Sequence, residues 1–185
     1  MRALLFILAM AVMLLLSGCG DLLSIQPLAT AETVVFDAGL TGTWSCATED
    51  CVALIRAGSA QKKDYDILWI ADDGDGEALR LKGQLVKVGD RLVLDLITAK
   101  WPDLTVPEHF FMLVEKTADG VKFHWLDSKW LRSQVTTQNG LAHMMMDDKP
   151  VITAASAEIH AFLAKYGLDP QAVSDSMSFK RVKGQ

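Results

Sequence analysis

The 185-residue chain is short of cysteine, proline, tyrosine and histidine: it has three, five, two and four of them. Three cysteines cannot staple a disulfide scaffold, and a chain of this length can bury an apolar core without one. Five prolines and no low-complexity block exclude a proline-rich disordered chain. Basic residues are outnumbered, 18 Lys+Arg against 23 Asp+Glu, for a net charge of −5. Nucleic-acid binding rests on clustered Lys and Arg, so no nucleic-acid partner is expected. The same balance excludes adhesion to anionic lipid by charge alone. Also absent are a Gly-x-Ser-x-Gly elbow, a phosphate-cradling glycine loop and a His-Glu-x-x-His pair. No catalytic residue, cofactor or metal is therefore assigned, and the protein is not read as an enzyme.

Long apolar runs are missing too, except at the N-terminus, where Ala3 to Leu16 carries no charge. That run is too short for a membrane span, which needs about 20 residues. Arg2 precedes it, and the small residues Ser17 and Gly18 follow it. This pattern predicts a secretory signal over residues 1–18. The four residues Leu16-Ser17-Gly18-Cys19 resemble the lipobox of bacterial lipoproteins. The resemblance implies cleavage between Gly18 and Cys19 and a diacylglyceryl thioether on Cys19. Two or three acyl chains anchor stably where one is marginal, so the expected partner is a membrane, reached through lipid on Cys19. Gly20, and not Asp, follows the cysteine. By resemblance, that implies a lipid-anchored address in the cell envelope, at the outer membrane facing the periplasm.

Residues 19–33 show no period and are expected to form the lipidated N-terminus and a flexible tether. A single β-rich domain is expected over 34–185. Short alternating runs, among them Tyr65 to Ala71, Leu79 to Leu85 and Val121 to Leu126, are separated by Gly/Asp turns. They predict a mainly β fold: an antiparallel meander forming a small barrel or strongly curved sheet. Ile159, Phe162, Leu163 and Tyr166 at helical spacing predict one C-terminal amphipathic helix covering it, with Ser156 as its N-cap.

Cys46 and Cys51 flank a four-residue acidic segment, so a hairpin would set them face to face. In an oxidising envelope that favours a disulfide; a free thiol pair and a metal site are the alternatives. Gly42-Thr43-Trp44 resembles the Gly-x-Trp signature on the first strand of lipocalins and related small barrels. The resemblance implies that Trp44 plugs one barrel end beside Gly42, with Arg181 as the late basic residue stacked near it. The Thr-Asp-Tyr signature of that family is absent.

His143-Met144-Met145-Met146 invites a copper reading, but alternate strand residues point apart and methionine more often fills cores. Asp72 to Glu77 has carboxylates for calcium without the spacing of a calcium loop, and reads as a solvated turn. His109 and His124 are placed to meet across a hairpin. Two functional readings follow. The first is a non-catalytic envelope lipoprotein, a binding or structural module that contacts an envelope protein. The alternative is a lipocalin-like carrier of a small apolar ligand, its cavity lined by Tyr65, Ile67, Trp69, Phe111, Phe123 and Trp125.

Overall fold

The computed structural model describes residues 23–48, 50–71, 78–98, 107–137, 140–146, 149–167 and 169–182. The signal segment, Gly18, Cys19 and the 72–77 turn lie outside the described residues.

Eight strands close a barrel in simple meander order. They are β3 (Gly42–Cys46), β4 (Cys51–Ala57), β5 (Asp64–Ala71), β6 (Ala78–Val88), β7 (Arg91–Thr98), β8 (Phe110–Lys116), β9 (Gly120–Leu126) and β12 (Val173–Arg181). Every neighbouring pair is antiparallel, and β12 closes the ring by pairing with both β9 and β3. The expected barrel is thus present, and closure removes the exposed edges that an open sheet would leave. β6 is long enough to run past β5: residues 78–84 pair with β5, while Val86 and Leu85 pair with β2 (Val34–Val35).

Between β9 and β12 the chain leaves the barrel. It forms α1 (Ser128–Val135), the hairpin β10 (His143–Met146) and β11 (Lys149–Ile152), and α2 (Ser156–Tyr166). Asp127 caps α1 by accepting the Trp130 N–H at 2.6 Å. The N-cap position of α2 is Ala155, not Ser156, and the Glu158 carboxylate accepts the Ala155 N–H at 3.0 Å. The carboxylate suits the positive end of the helix.

Two apolar cores result, one on each side of the barrel wall. The inner core holds Trp44, Ile55, Ile67, Leu94, Met112, Phe123 and their neighbours. The outer core joins Val86, Val93, Phe111 and Leu113 on the outer barrel face to Leu131, Ile159, Phe162 and Leu163 of the helices. α2 is the side-cover that its spacing predicts, and α1 shares that role.

The N-terminal segment departs from expectation. Residues 23–33 are not a free tether. β1 (Leu23–Ser24) runs parallel to β11, Leu28 is fully buried in the outer core, and Thr33 O accepts the Lys87 N–H at 3.1 Å. The physical reason is a set of ties acting together: Leu28 is buried in the outer core, the Leu28 and Ala29 N–H groups donate to the buried Asp95 carboxylate, and β1 pairs with β11.

Candidate functional site

One end of the barrel is closed. A 3-10 turn at Ala38–Leu40 crosses it, and Trp44 rises into the interior with only 4% exposure. Its indole Nε1 donates to Leu40 O at 2.9 Å, which satisfies the one polar atom the ring brings inside. Arg181 lies over the ring, 4.5 Å from its centroid. The guanidinium donates to Thr41 O and Gly39 O, closing the 3-10 turn from outside. Gly42 has φ +140°, and a Cβ there would sit 2.6 Å from Arg181 Nη1. Gly42, Trp44 and Arg181 therefore meet at one barrel end.

The floor is completed by Tyr65, 1% exposed. Its hydroxyl accepts the Asp37 N–H at 2.8 Å and donates to Asp37 O at 3.2 Å. Burial raises the Tyr65 pKa, so the phenol stays neutral. The Asp37 carboxylate accepts the Gly39 N–H at 2.8 Å and pairs with Lys116. Burial pushes its carboxyl up, but Lys116 and the Gly39 N–H outweigh that and hold it below the usual range.

Above this floor lies a cavity of about 160 Å³ with an entirely apolar wall. Ile67, Trp69, Phe123 and Trp125 line it, with Phe110, Met112, Leu79 and Leu96 among the others. It opens at the end opposite Trp44, where Leu79 is 47% exposed. Phe123 sits edge-on to Phe179 at 5.5 Å and Phe110 stacks with Trp125 at 6.4 Å, which fixes the aromatic walls.

Two expected lining residues lie elsewhere. Tyr65 belongs to the inner core but forms the floor. Phe111 faces outward, into the core under the helices. The reason is parity: β8 pairs Met112 with Trp125 and Val114 with Phe123, so its even-numbered residues share the face of those aromatics.

Cys46 and Cys51 are joined in a disulfide, with Cα atoms 5.2 Å apart, across the β3–β4 turn at the open end. By sequence, 47–50, 72–77 and 99–109 together carry eight carboxylates against Lys100, a net −7 where the whole chain is −5.

The histidines do not gather. His109 Nδ1 lies 2.7 Å from Asp95 Oδ1, and His124 Nε2 lies 2.8 Å from Glu115 Oε2, so the two do not meet. Asp95 is a residue that the sequence reading missed. It is 4% exposed on the outer face of β7, and its second oxygen accepts the Leu28 and Ala29 N–H groups at 2.8 and 3.2 Å. A single carboxylate inside Leu92-Val93-Leu94-Asp95-Leu96 was the available signal. A polar hollow beside it is lined by Lys62, Asp64, Lys82, Gln84 and His109, none of them a hydroxyl or thiol nucleophile. His143 Nδ1 donates to Leu141 O, and Met144, Met145 and Met146 are all exposed. Among the described residues no group of three or more His, Cys, Asp or Glu is placed to hold a metal ion. Nor, among them, is any helix long and apolar enough to cross a membrane. No family model, no curated protein and no solved structure matches the chain.

Proposed function

We propose that this protein is an envelope lipoprotein, anchored through lipid on Cys19, whose barrel is a lipocalin-like carrier of a small apolar ligand. The observation that carries the reading is the cavity: apolar throughout, within a barrel closed at the Trp44 end and open at the other. A barrel serving only as a scaffold gains nothing from a void, since each unfilled volume forfeits dispersion contacts. Its size sets the ligand. About 160 Å³ compares with an engineered apolar cavity of about 150 Å³ that takes up benzene, and falls short of the roughly 300–1,000 Å³ of drug-sized sites. A single ring or the end of an alkyl chain fits, with the remainder of a longer molecule left at the mouth. No polar group of the wall would fix its orientation, so the ligand is selected by shape and apolarity.

The test is titration of the mature protein with N-phenyl-1-naphthylamine, a neutral probe that brightens on leaving water. Saturable binding with one site is expected, weakened at least tenfold in Ala53→Leu, whose larger side chain would fill the space beside Trp69. Intact mass of the membrane form checks the lipid on Cys19. Absence of saturable binding, or equal binding by Ala53→Leu, overturns the carrier reading.

A further inference from the structure

We propose that the open end of the barrel rests against the bilayer that holds Cys19, so that the cavity exchanges its ligand directly with the membrane; this depends on the lipid-anchor and carrier readings above. The argument begins with where the described chain starts. Ser24 is bonded both ways to His109, donating to its carbonyl at 3.0 Å and accepting its N–H at 2.7 Å. His109 immediately precedes Phe110, the first residue of β8 and part of the cavity wall. The chain therefore enters the structure beside the mouth.

Chain length does the rest. Cys19 precedes Leu23 by four residues, which span at most about 14 Å when fully extended. The opposite end of β8, at Lys116, is six residues from Phe110, about 20 Å along the strand. The β8–β9 turn at Asp119 lies farther still. Cys19 itself cannot reach that end along β8, whereas the mouth is within its range.

The mouth also presents a surface that a bilayer interface suits. Val52, Ile70 and Leu79 are 38%, 42% and 47% exposed. They sit at the mouth ends of three successive strands: Val52 pairs with Ile70 on the outer face, and Leu79 pairs with Trp69 on the cavity side. Apolar side chains left in water on both faces of the rim are stabilised by transfer to the interface. The net charge of the chain decides the kind of bilayer. At −5 it is repelled by anionic lipid, so the inference commits to a zwitterionic surface.

The experiment uses the lipidated protein in phosphatidylcholine vesicles whose acyl chains are brominated. Cys46 and Cys51 are bonded and Cys19 carries its thioether, so one introduced thiol is the only reactive one. A fluorophore is placed at the rim by Ile70→Cys, with Val52→Cys as a second rim position, and at the closed end by Asp119→Cys. All three positions are exposed. Bromine quenches only on close approach. The rim labels are expected to lose at least half their intensity relative to unbrominated vesicles, and the label at 119 to change little. Equal quenching at both ends, or stronger quenching at 119, overturns the orientation. If Cys19 carries no lipid, the anchor reading and the orientation fall together. Unquenched rim labels on a lipidated protein that still binds the naphthylamine probe overturn the orientation alone.

Discussion

Inside the barrel, Leu94, Leu96, Met112 and Phe123 look across a void; outside it, Val93, Phe111 and Leu113 meet Leu131, Ile159 and Phe162 of the two helices. The same strands serve both sides. β7 and β8 each bury four consecutive residues, alternately inward and outward. The two sides differ in what can reach them. An inner wall is filled only by its own side chains radiating from a curved surface, and eight strands leave an interior wide enough for a small ligand. An outer wall can be met by helix ridges that settle into it until no gap remains. Geometry thus permits a hollow interior without requiring one, and here similar side chains line a void inside and meet the helices outside.

Substitutions at matched depth test that contrast. Trp44→Ala at the floor is expected to cost about 3–5 kcal/mol, and Ile159→Ala in the outer core about 2–5 kcal/mol, since both remove fully engaged apolar groups. Leu79→Ala at the rim should cost under about 1 kcal/mol, because that side chain is already half in water. Urea melts with an unchanged slope read these differences directly. An unchanged midpoint for Trp44→Ala would remove its role as the plug. A Leu79→Ala loss equal to that of Ile159→Ala would mean that the rim contributes to stability as much as the outer core does.

The contrast also explains what was legible in the sequence. Strands with one apolar face announced the barrel, while its closed end at Gly42, Trp44 and Arg181 was implied by the resemblance of Gly42-Thr43-Trp44 to a Gly-x-Trp signature. The spacing of the hairpin cysteines, together with an expected oxidising compartment, announced their bridge. Strands apolar on both faces hid the rest. Phe110-Phe111-Met112-Leu113-Val114 has no alternation to read, so the inward parity was set by pairing with Phe123 and Trp125, which no local pattern records. Residues 23–33 were opaque for another reason. Their order depends on Asp95, 66 and 67 residues away in sequence from the N–H groups it accepts.

That long-range tie is the second way to sharpen the comparison, since Asp95 fastens the N-terminal segment to the outer wall. Asp95→Ala leaves the Leu28 and Ala29 N–H groups without their acceptor, and an unmet buried donor costs about 1–3 kcal/mol. The expected result is faster amide exchange at Leu28 and Ala29 and protease cutting within 23–33, with probe binding inside the barrel retained. Asp95→Asn, which keeps one acceptor oxygen, should fall between. Exchange unchanged at both amides would show that Leu28 burial alone holds the segment. Loss of probe binding in step with the freed segment would show that the two sides of the wall are not independent.

The smallest effect concerns the place where the two regions are joined at the closed end. Asp37 lies on the segment that crosses the barrel floor, and its carboxylate reaches Lys116 at the end of β8 and the N–H of Gly39. Burial works to raise its pKa, but those two partners prevail and hold it below the ordinary value of 3.8. A carboxyl with a lowered folded pKa binds its proton more weakly in the folded chain than in the unfolded one. Its contribution is therefore present above about pH 4 and lost as pH falls through the folded value. The pair is half in solvent, so the contribution is under about 1 kcal/mol. Asp37→Asn should thus melt slightly earlier than the parent at pH 7, and the gap should close by pH 2.5, where the parent carboxyl is itself protonated. Tyr65, whose pKa is raised mainly by burial, gives the mirror image: its contribution is present below its ordinary value of 10.0 and lost as pH rises through the folded one. A gap between Asp37→Asn and the parent that persisted at pH 2.5 would assign the loss to the cap geometry at Gly39 and not to the charge.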